Sequence, residues 1–316
     1  MDLSEDELID AIRRVLSGAG PEVRIGPGDD AAVVTSGSGE LVLTTDAMVE
    51  DVHFRLDQTT SRDLGYKALA VNVSDVAAMA ASPRYALCAL TLSDRVDATW
   101  VVELAAGMRE CADEFALALV GGNLSRGAAV SIAVSVTGEA GPGRAVRREG
   151  ARPGDRVVVT GSLGGAAAGR RLAEARSWSD DERDALRRWM RPTPRVGEAG
   201  VLAAHGVTAM IDVSDGFARD LSRLTRASGA GARIELERVP AHPAATLDEA
   251  LGGGEDYELL ATLPDGDVVE AARSELRDRF GVSLADLGGI IDEGLLAVEN
   301  DGAEHPLEVR GWDHFA

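Results

Sequence analysis

The sequence predicts an α+β protein of two domains, and three observations carry that reading. At 316 residues the chain is too long for one ordinary core. Its strand and helix patterns mix without a regular βαβ repeat. A stretch rich in Gly, Pro and Arg at 139–154 separates two such mixtures. The expected division is an N-terminal domain over 1–148 and a C-terminal domain over 149–316.

The elements follow from local pattern. Ser4–Leu16 opens with a Ser4-x-x-Glu7 capping box and spaces Leu8, Ile12 and Val15 as a helix. Ala31–Thr35 and Leu41–Thr45 read as strands around a Gly/Ser turn, and Asp46 ends the second. Ser61–Ala80 is a long, largely buried helix, rich in Ala, Leu and Val. Tyr85–Leu92 is a strand and Ala98–Phe115 an amphipathic helix. Leu117–Val120 is a strand ending in Gly121-Gly122-Asn123, and Val130–Val136 alternates as a strand. In the second half, Arg156–Thr160 is a strand feeding an Ala-rich helix through Gly161–Gly165. Helices follow near 181–190 and 195–204. Thr208–Ile211 is a strand leading into Asp212–Gly216, and Phe217–Ala227 is helical. Tyr257–Thr262 is a strand, 267–280 a helix, and 284–291 and 295–299 are strands.

Composition excludes several classes. The net charge of −21 argues against a nucleic-acid partner, because phosphate backbones require basic patches. It fits a salt-adapted surface. No run approaches the roughly 18 apolar residues of a membrane span. The acidic start lacks a signal-peptide pattern, so a cytoplasmic protein is expected. Cys88 and Cys111 give neither a disulfide framework nor metal spacing, and both are expected buried. Lys67 is the only lysine and lies in Gly65-Tyr66-Lys67-Ala68, so there is no Walker A loop. A protein-kinase His-Arg-Asp loop is absent too. No His-x-x-x-His pair suggests zinc.

Acidic residues recur beside glycines and at strand ends: Asp29-Asp30, Asp46, Asp75, Asp212, Asp215 and Glu255-Asp256. Unpaired carboxylates are costly to bury. Together with Thr and Ser oxygens they suit hard cations such as Mg²⁺, which in turn bind polyphosphates. Each motif also has a plainer reading. Gly28-Asp29-Asp30 suits a turn. Asp75 suits a solvated helix surface. Asp212–Asp215 suits a helix cap, with Ser214 or Asp215 accepting N–H bonds. Gly161–Gly169 resembles a phosphate loop at a helix N-terminus, but close strand–helix packing explains it as well. Asn72-Val73-Ser74-Asp75 and Asp212-Val213-Ser214-Asp215 echo one another and suggest a similar acidic turn in each half. Gly252-Gly253-Gly254 suggests close backbone approach to a ligand. Arg144, Arg147 and Arg148 form a cationic patch that either balances local acids or meets phosphate.

At these residues the chain resembles the thiamine-monophosphate kinases, whose superfamily includes aminoimidazole ribonucleotide (AIR) synthetase, selenophosphate synthetase and the hydrogenase-maturation dehydratase. The resemblance runs from Gly28-Asp29-Asp30-Ala31-Ala32 through Thr44-Thr45-Asp46, His53-Phe54 and Tyr66–Asp75. It continues through Gly121-Gly122, Arg152–Asp155, Asp212–Gly216, Gly253–Glu258 and Gly311-Trp312-Asp313-His314-Phe315. It implies an AIR synthetase-like fold: an N-terminal α/β domain whose sheet forms a dimeric barrel with its partner's, and a C-terminal α+β domain.

By matching positions, the resemblance implies that Asp30, Thr44, Thr45, Asp46, Asp75, Asn123, Asp212 and Asp215 hold several Mg²⁺ ions. It implies ATP contacts from Gly121, Gly122, Arg147 and Ser214, and thiamine monophosphate contacts from His53, Glu255 and Trp312. Asn123 departs from the family's Gly-Gly-Asp and lacks its charge. The implied reaction is ATP plus thiamine monophosphate giving ADP plus thiamine diphosphate, by direct transfer without a general base. Another ATP-dependent synthetase of the superfamily, or a degenerate nucleotide-binding dimer, is the alternative.

Overall fold

The computed structural model describes residues 11, 14–15, 23–25, 33–34, 40–141, 144–174 and 177–312. Asp30 and most of the expected Ser4–Leu16 helix lie outside these residues, though 11, 14 and 15 are helical. Of the expected Ala31–Thr35 strand, Val33–Val34 is described. The chain forms two compact units: Met1–Val76 with Ala81–Arg144, and Ala77–Ala80 with Ala145–Ala316.

In the first unit, β1 (Val23–Ile25) pairs antiparallel with β2 (Val33–Val34). A second sheet contains β3 (Glu40–Val49), β4 (Ser82–Leu92), β5 (Ala118–Arg126) and β6 (Ser131–Ala140), in the order β3-β6-β4-β5. Only the β4–β5 pair is parallel. Helices α1 (Ser61–Ala78) and α2 (Ala98–Glu114) connect β3 to β4 and β4 to β5. The side chain of Asp97 accepts the Trp100 N–H and so starts α2. Alternation along β6 buries Ile132, Val134 and Val136, together with Leu69 and Val73 of α1 and Leu104 and Met108 of α2. The opposite sheet face is open to solvent. Leu41, Leu43 and Leu87 are 55%, 72% and 47% exposed there.

Three sequence expectations change. The strand carrying Asp46 continues to Val49, because β6 pairs with it residue for residue from Glu40↔Ala140 to Val49↔Ser131. The strand expected to stop before Gly121-Gly122-Asn123 runs through them to Arg126, carried by parallel pairing to β4. In both cases a ladder partner overrides weak local propensity. Of the two thiols, Cys111 is buried and Cys88 half-buried, where burial pushes the Cys88 thiol up to about 12.

The second unit holds a seven-stranded sheet with helices on both faces. Its strands are β7 (Arg156–Thr160), β8 (Ala209–Asp212), β9 (Gly231–Glu235), β10 (Leu259–Leu263), β11 (Leu284–Ile291), β12 (Leu295–Val298) and β13 (Glu304–Pro306). The order is β13-β12-β9-β11-β7-β10-β8, with only β12–β9 parallel. The helices are α3 (Gly165–Leu172), α4 (Asp180–Met190), α5 (Val196–Ala204), α6 (Phe217–Ser228), α7 (Leu247–Gly252) and α8 (Gly266–Phe280). Val157 and Val159 of β7 enter one core with Phe217, Leu221 and Leu224 of α6. Val158 enters the other with Leu202 of α5 and Leu276 of α8. This strict alternation makes β7 an apolar run, since both its faces are covered.

Candidate functional site

In the first unit the strand period sorts the residues expected to act together. Direct pairing places Thr44 and Asp46 opposite Val136 and Val134, on the helix-covered face. Helix α1 meets them there. The Thr44 hydroxyl donates to Asp75 Oδ2 at 2.6 Å. The Asp46 main-chain N–H donates to Asn72 Oδ1 at 3.0 Å. Asn72 and Asp75 are three residues apart, one helical turn, so both reach the same strand. Asn72 is fully buried and its amide donates to the Ala68 carbonyl at 3.1 Å. Asp75 thus sits within α1, with its carboxylate directed to β3.

Thr45 lies on the other face. Its hydroxyl donates to the Val134 carbonyl at 3.1 Å and accepts from Ser135 at 3.0 Å. The same open face carries Gly121 and Asn123, through the rows Thr45↔Ser135↔Leu87↔Gly121 and Ala47↔Ala133↔Ala89↔Asn123. Gly122 is held to glycine by packing, because a Cβ there would lie 1.8 Å from the Cys88 carbonyl oxygen. His53 stands in the turn after β3, where its Nδ1 accepts the Val49 N–H at 3.0 Å. The structure therefore brings Thr44, Asp46 and Asp75 together, and leaves Thr45 and Asn123 on the open face.

In the second unit β8 ends at Asp212, which is only 2% exposed. The chain then runs beside the segment 253–258. Val213 N–H donates to the Glu258 carbonyl at 2.8 Å, and Glu255 N–H to the Ser214 carbonyl at 2.8 Å. Glu255 and Tyr257 have positive φ values of 72° and 51°. Such backbone costs of order 1 kcal/mol per residue and gathers at functional sites. The end of the described chain joins them: Trp312 N–H donates to the Asp215 carbonyl at 2.9 Å. Asp212, Ser214, Asp215, Glu255 and Trp312 therefore share one loop cluster. Arg147 runs beside β8, its carbonyl accepting the Met210 N–H, while its guanidinium bonds Glu149 at 2.7 Å.

Two readings of this cluster are corrected. Neither Ser214 nor Asp215 caps α6. The N-cap is Gly216, without a side-chain bond. Instead the fully buried Asp220, in the first turn of α6, accepts N–H bonds from Ser214 at 3.1 Å and Asp215 at 3.0 Å. Burial pushes the Asp220 carboxyl up to about 6, against those N–H bonds and Arg223. Arg223 bridges it to Asp215. The second correction concerns the echoed tetrapeptides, which are not two similar turns. One is helix interior and the other a strand end with its loop.

The Gly161–Gly169 segment is strand–helix packing. The N-terminus of α3 holds a carboxylate of the chain itself: Asp256 accepts from Gly164 N–H at 2.6 Å and Ala166 N–H at 3.1 Å. Burial pushes Asp256 up to about 7. Beneath it, buried Glu258 accepts from the Thr160 hydroxyl at 2.7 Å and pairs with Arg195 at 2.6 Å. Asp220 and Arg195 went unread in the sequence. The available signal for Asp220 was an acid in the first turn of a helix that follows an acidic loop.

The donors are oxygen throughout, with no Cys or His among them, which fits a hard cation. Among the described residues no three or more His, Cys, Asp or Glu gather into a metal-holding group.

Two mixed α+β units, each carrying a carboxylate-rich loop or face, define an AIR synthase-related protein. The model of the AIR synthase related protein N-terminal domain matches residues 28–140, and that of the C-terminal domain matches 152–299. More narrowly, the chain belongs to the thiamine-monophosphate kinase family. It is 37% identical to the thiamine-monophosphate kinase of Escherichia coli (strain K12) over 309 residues, 93% of each chain. It matches the crystal structure of the Stenotrophomonas maltophilia K279a thiamine-monophosphate kinase with a TM-score of 0.84 and 34% identity, over 96% of this chain and 98% of that one. It also matches AaThiL complexed with AMPPCP and TMP with a TM-score of 0.77 and 32% identity, over 100% of this chain and 99% of that one.

Proposed function

We propose that this protein transfers the terminal phosphoryl group of ATP to thiamine monophosphate, giving ADP and thiamine diphosphate, as a step of thiamine diphosphate biosynthesis. The observation that carries the reading is an oxygen-only donor set in a chain of this family: Thr44, Asp46 and Asp75 on one face, Asp212 and Asp215 in one loop. The AaThiL complex supports the substrate pair, since AMPPCP is an ATP analogue that cannot pass on its terminal phosphoryl group.

Asp30, Thr44, Asp46, Asp75, Asp212 and Asp215 are the residues that would hold Mg²⁺. Thr45 and Asn123, which share the open face with Gly121, complete the proposed set. A bound Mg²⁺ would neutralise charge on the phosphate oxygens. The acceptor is a phosphate monoester with a second pKa near 6, so it is mostly ionised at neutral pH and needs no general base. The chain's task is to bring two anions into line. Arg147 offsets their charge, Gly121, Gly122 and Ser214 contact ATP, and His53, Glu255 and Trp312 contact thiamine monophosphate. Transfer is direct. A phosphorylated residue trapped on the turnover pathway would sink that step.

The open face of the β3-β6-β4-β5 sheet, with Leu41, Leu43 and Leu87 exposed, is the surface on which a second copy's sheet would close a barrel. A monomeric mass by light scattering would remove this part. No described helix is long and apolar enough to cross a membrane, and a cytoplasmic location is our reading.

The test is an assay of purified protein with Mg-ATP and thiamine monophosphate. Thiamine diphosphate that forms only with Mg²⁺ is expected. ATP binding without product would overturn the reading.

A further inference from the structure

We propose that Arg219 is the positioning residue for Trp312; the inference rests on thiamine monophosphate being the substrate. The end of the described chain crosses the first turn of α6. There the Trp312 main chain is held from both sides. Its N–H donates to the Asp215 carbonyl at 2.9 Å, and its carbonyl accepts from Arg219 Nη1. Trp312 as a whole remains 43% exposed. A large, partly exposed aromatic residue on a backbone held from both sides makes a stacking platform. Its complement is a flat, positively charged heteroaromatic ring, the chemistry of a thiazolium.

The crossing is close. A Cβ on Gly311 would lie 2.4 Å from the Asp215 carbonyl oxygen and 2.9 Å from Arg219 Cβ. No other residue type leaves room for the tail to reach Asp215 at that point. Arg219 is itself well placed. Phe217, Ala218, Asp220 and Leu221 around it are fully buried, so its guanidinium extends from a rigid base. The adjacent Asp220 fixes the main chain of Ser214 and Asp215 from the same turn. One turn of α6 therefore sets both the loop proposed to hold metal and nucleotide and the residue proposed to hold the acceptor. Arg219 touches neither substrate in this scheme and acts through Trp312.

The test is steady-state kinetics with each substrate varied in turn. Losing one charge-assisted hydrogen bond predicts a rise of about tenfold in KM for thiamine monophosphate in Arg219→Ala. KM for ATP and the melting temperature stay near wild type. Arg219→Lys, which keeps a cationic donor, recovers most of the loss. Gly311→Ala, whose Cβ would meet the Asp215 carbonyl oxygen and the Arg219 stem, displaces the Trp312 main chain from its two holds and raises the same KM. The thiamine monophosphate-induced change in tryptophan fluorescence falls in Arg219→Ala toward that of Trp312→Phe. An unchanged KM for thiamine monophosphate in both Arg219→Ala and Gly311→Ala overturns the proposal. An equal rise in both KM values with a lowered melting temperature also overturns it, because that marks a general structural role. Wild-type protein that makes no thiamine diphosphate overturns the functional reading itself, and is seen before any variant is assayed.

Discussion

Asn72-Val73-Ser74-Asp75 and Asp212-Val213-Ser214-Asp215 share a pattern but solve the problem of aiming a carboxylate in different ways. The first lies within α1. Its backbone bonds are satisfied by the helix, and the helical turn aligns Asn72 and Asp75 on two atoms of β3. The second begins at the end of β8 and leaves the sheet. Its N–H groups at Ser214 and Asp215 have no ladder to join, so the buried Asp220 of α6 accepts both. The lesson is that the first carboxylate is braced by its own element and the second by a residue brought from elsewhere. Either tetrapeptide alone is silent on this, because the difference lies in the residues C-terminal to it: Val76-Ala77-Ala78 continues a helix, whereas Gly216 is the N-cap of a new one.

Breaking the external brace carries the largest expected effect. Asp220→Ala removes the acceptor of two part-buried N–H groups and the partner of Arg223, and lowers unfolding free energy by about 3 kcal/mol in urea melts. A loss under about 0.5 kcal/mol would show that the loop is held by other means. The α1 tetrapeptide needs no such partner, so its carboxylate is separable from stability. Asp75→Ala leaves the melting temperature within a few degrees and lowers kcat/KM by about a hundredfold. Full activity with an intact fold would remove Asp75 from the metal set.

A smaller difference lies in pH response. Asp256 sits in the segment beside Ser214 and is pushed up from 3.8 to about 7 by burial. A raised carboxyl pKa means that the folded state binds the proton more tightly than the unfolded state. Stability from this group is therefore greatest at low pH and declines as pH rises from about 4 to 7. Asp256→Asn, which cannot ionise, flattens that slope in melts followed across the same range. An unchanged slope would show that Asp256 is already ionised there.

Much of the architecture was legible because periodicity is a local property. The helices at 61–78 and 98–114 and the strand at 156–160 follow the pattern read from the chain to within a residue or two. The ends of β3 and β5 were not legible. Asp46 and Gly121-Gly122-Asn123 look like terminators, and only their pairing with β6 and β4 keeps them in the sheet. The short elements Gly231–Glu235, Leu247–Gly252 and Glu304–Pro306 were unread, since a few residues give little pattern. Of the candidate site, the carboxylates proposed to hold metal stand out in the sequence as residues out of place in a core. Thr44 and Thr45 looked equivalent, because a sequence does not show which face of a strand is covered. Asp220 was hidden for another reason: its importance lies in the unpaired N–H groups of a loop several residues away.

Lys67, the chain's single lysine, is 5% exposed within α1, the helix that carries Asn72 and Asp75. A lysine-specific endoprotease has one internal bond to cut, Lys67–Ala68, and that bond is out of reach while the helix is formed. Cleavage then yields two fragments at a rate set by how often this helix opens. The same sequence oddity makes the native protein a single-site reporter of local unfolding, with no label to introduce.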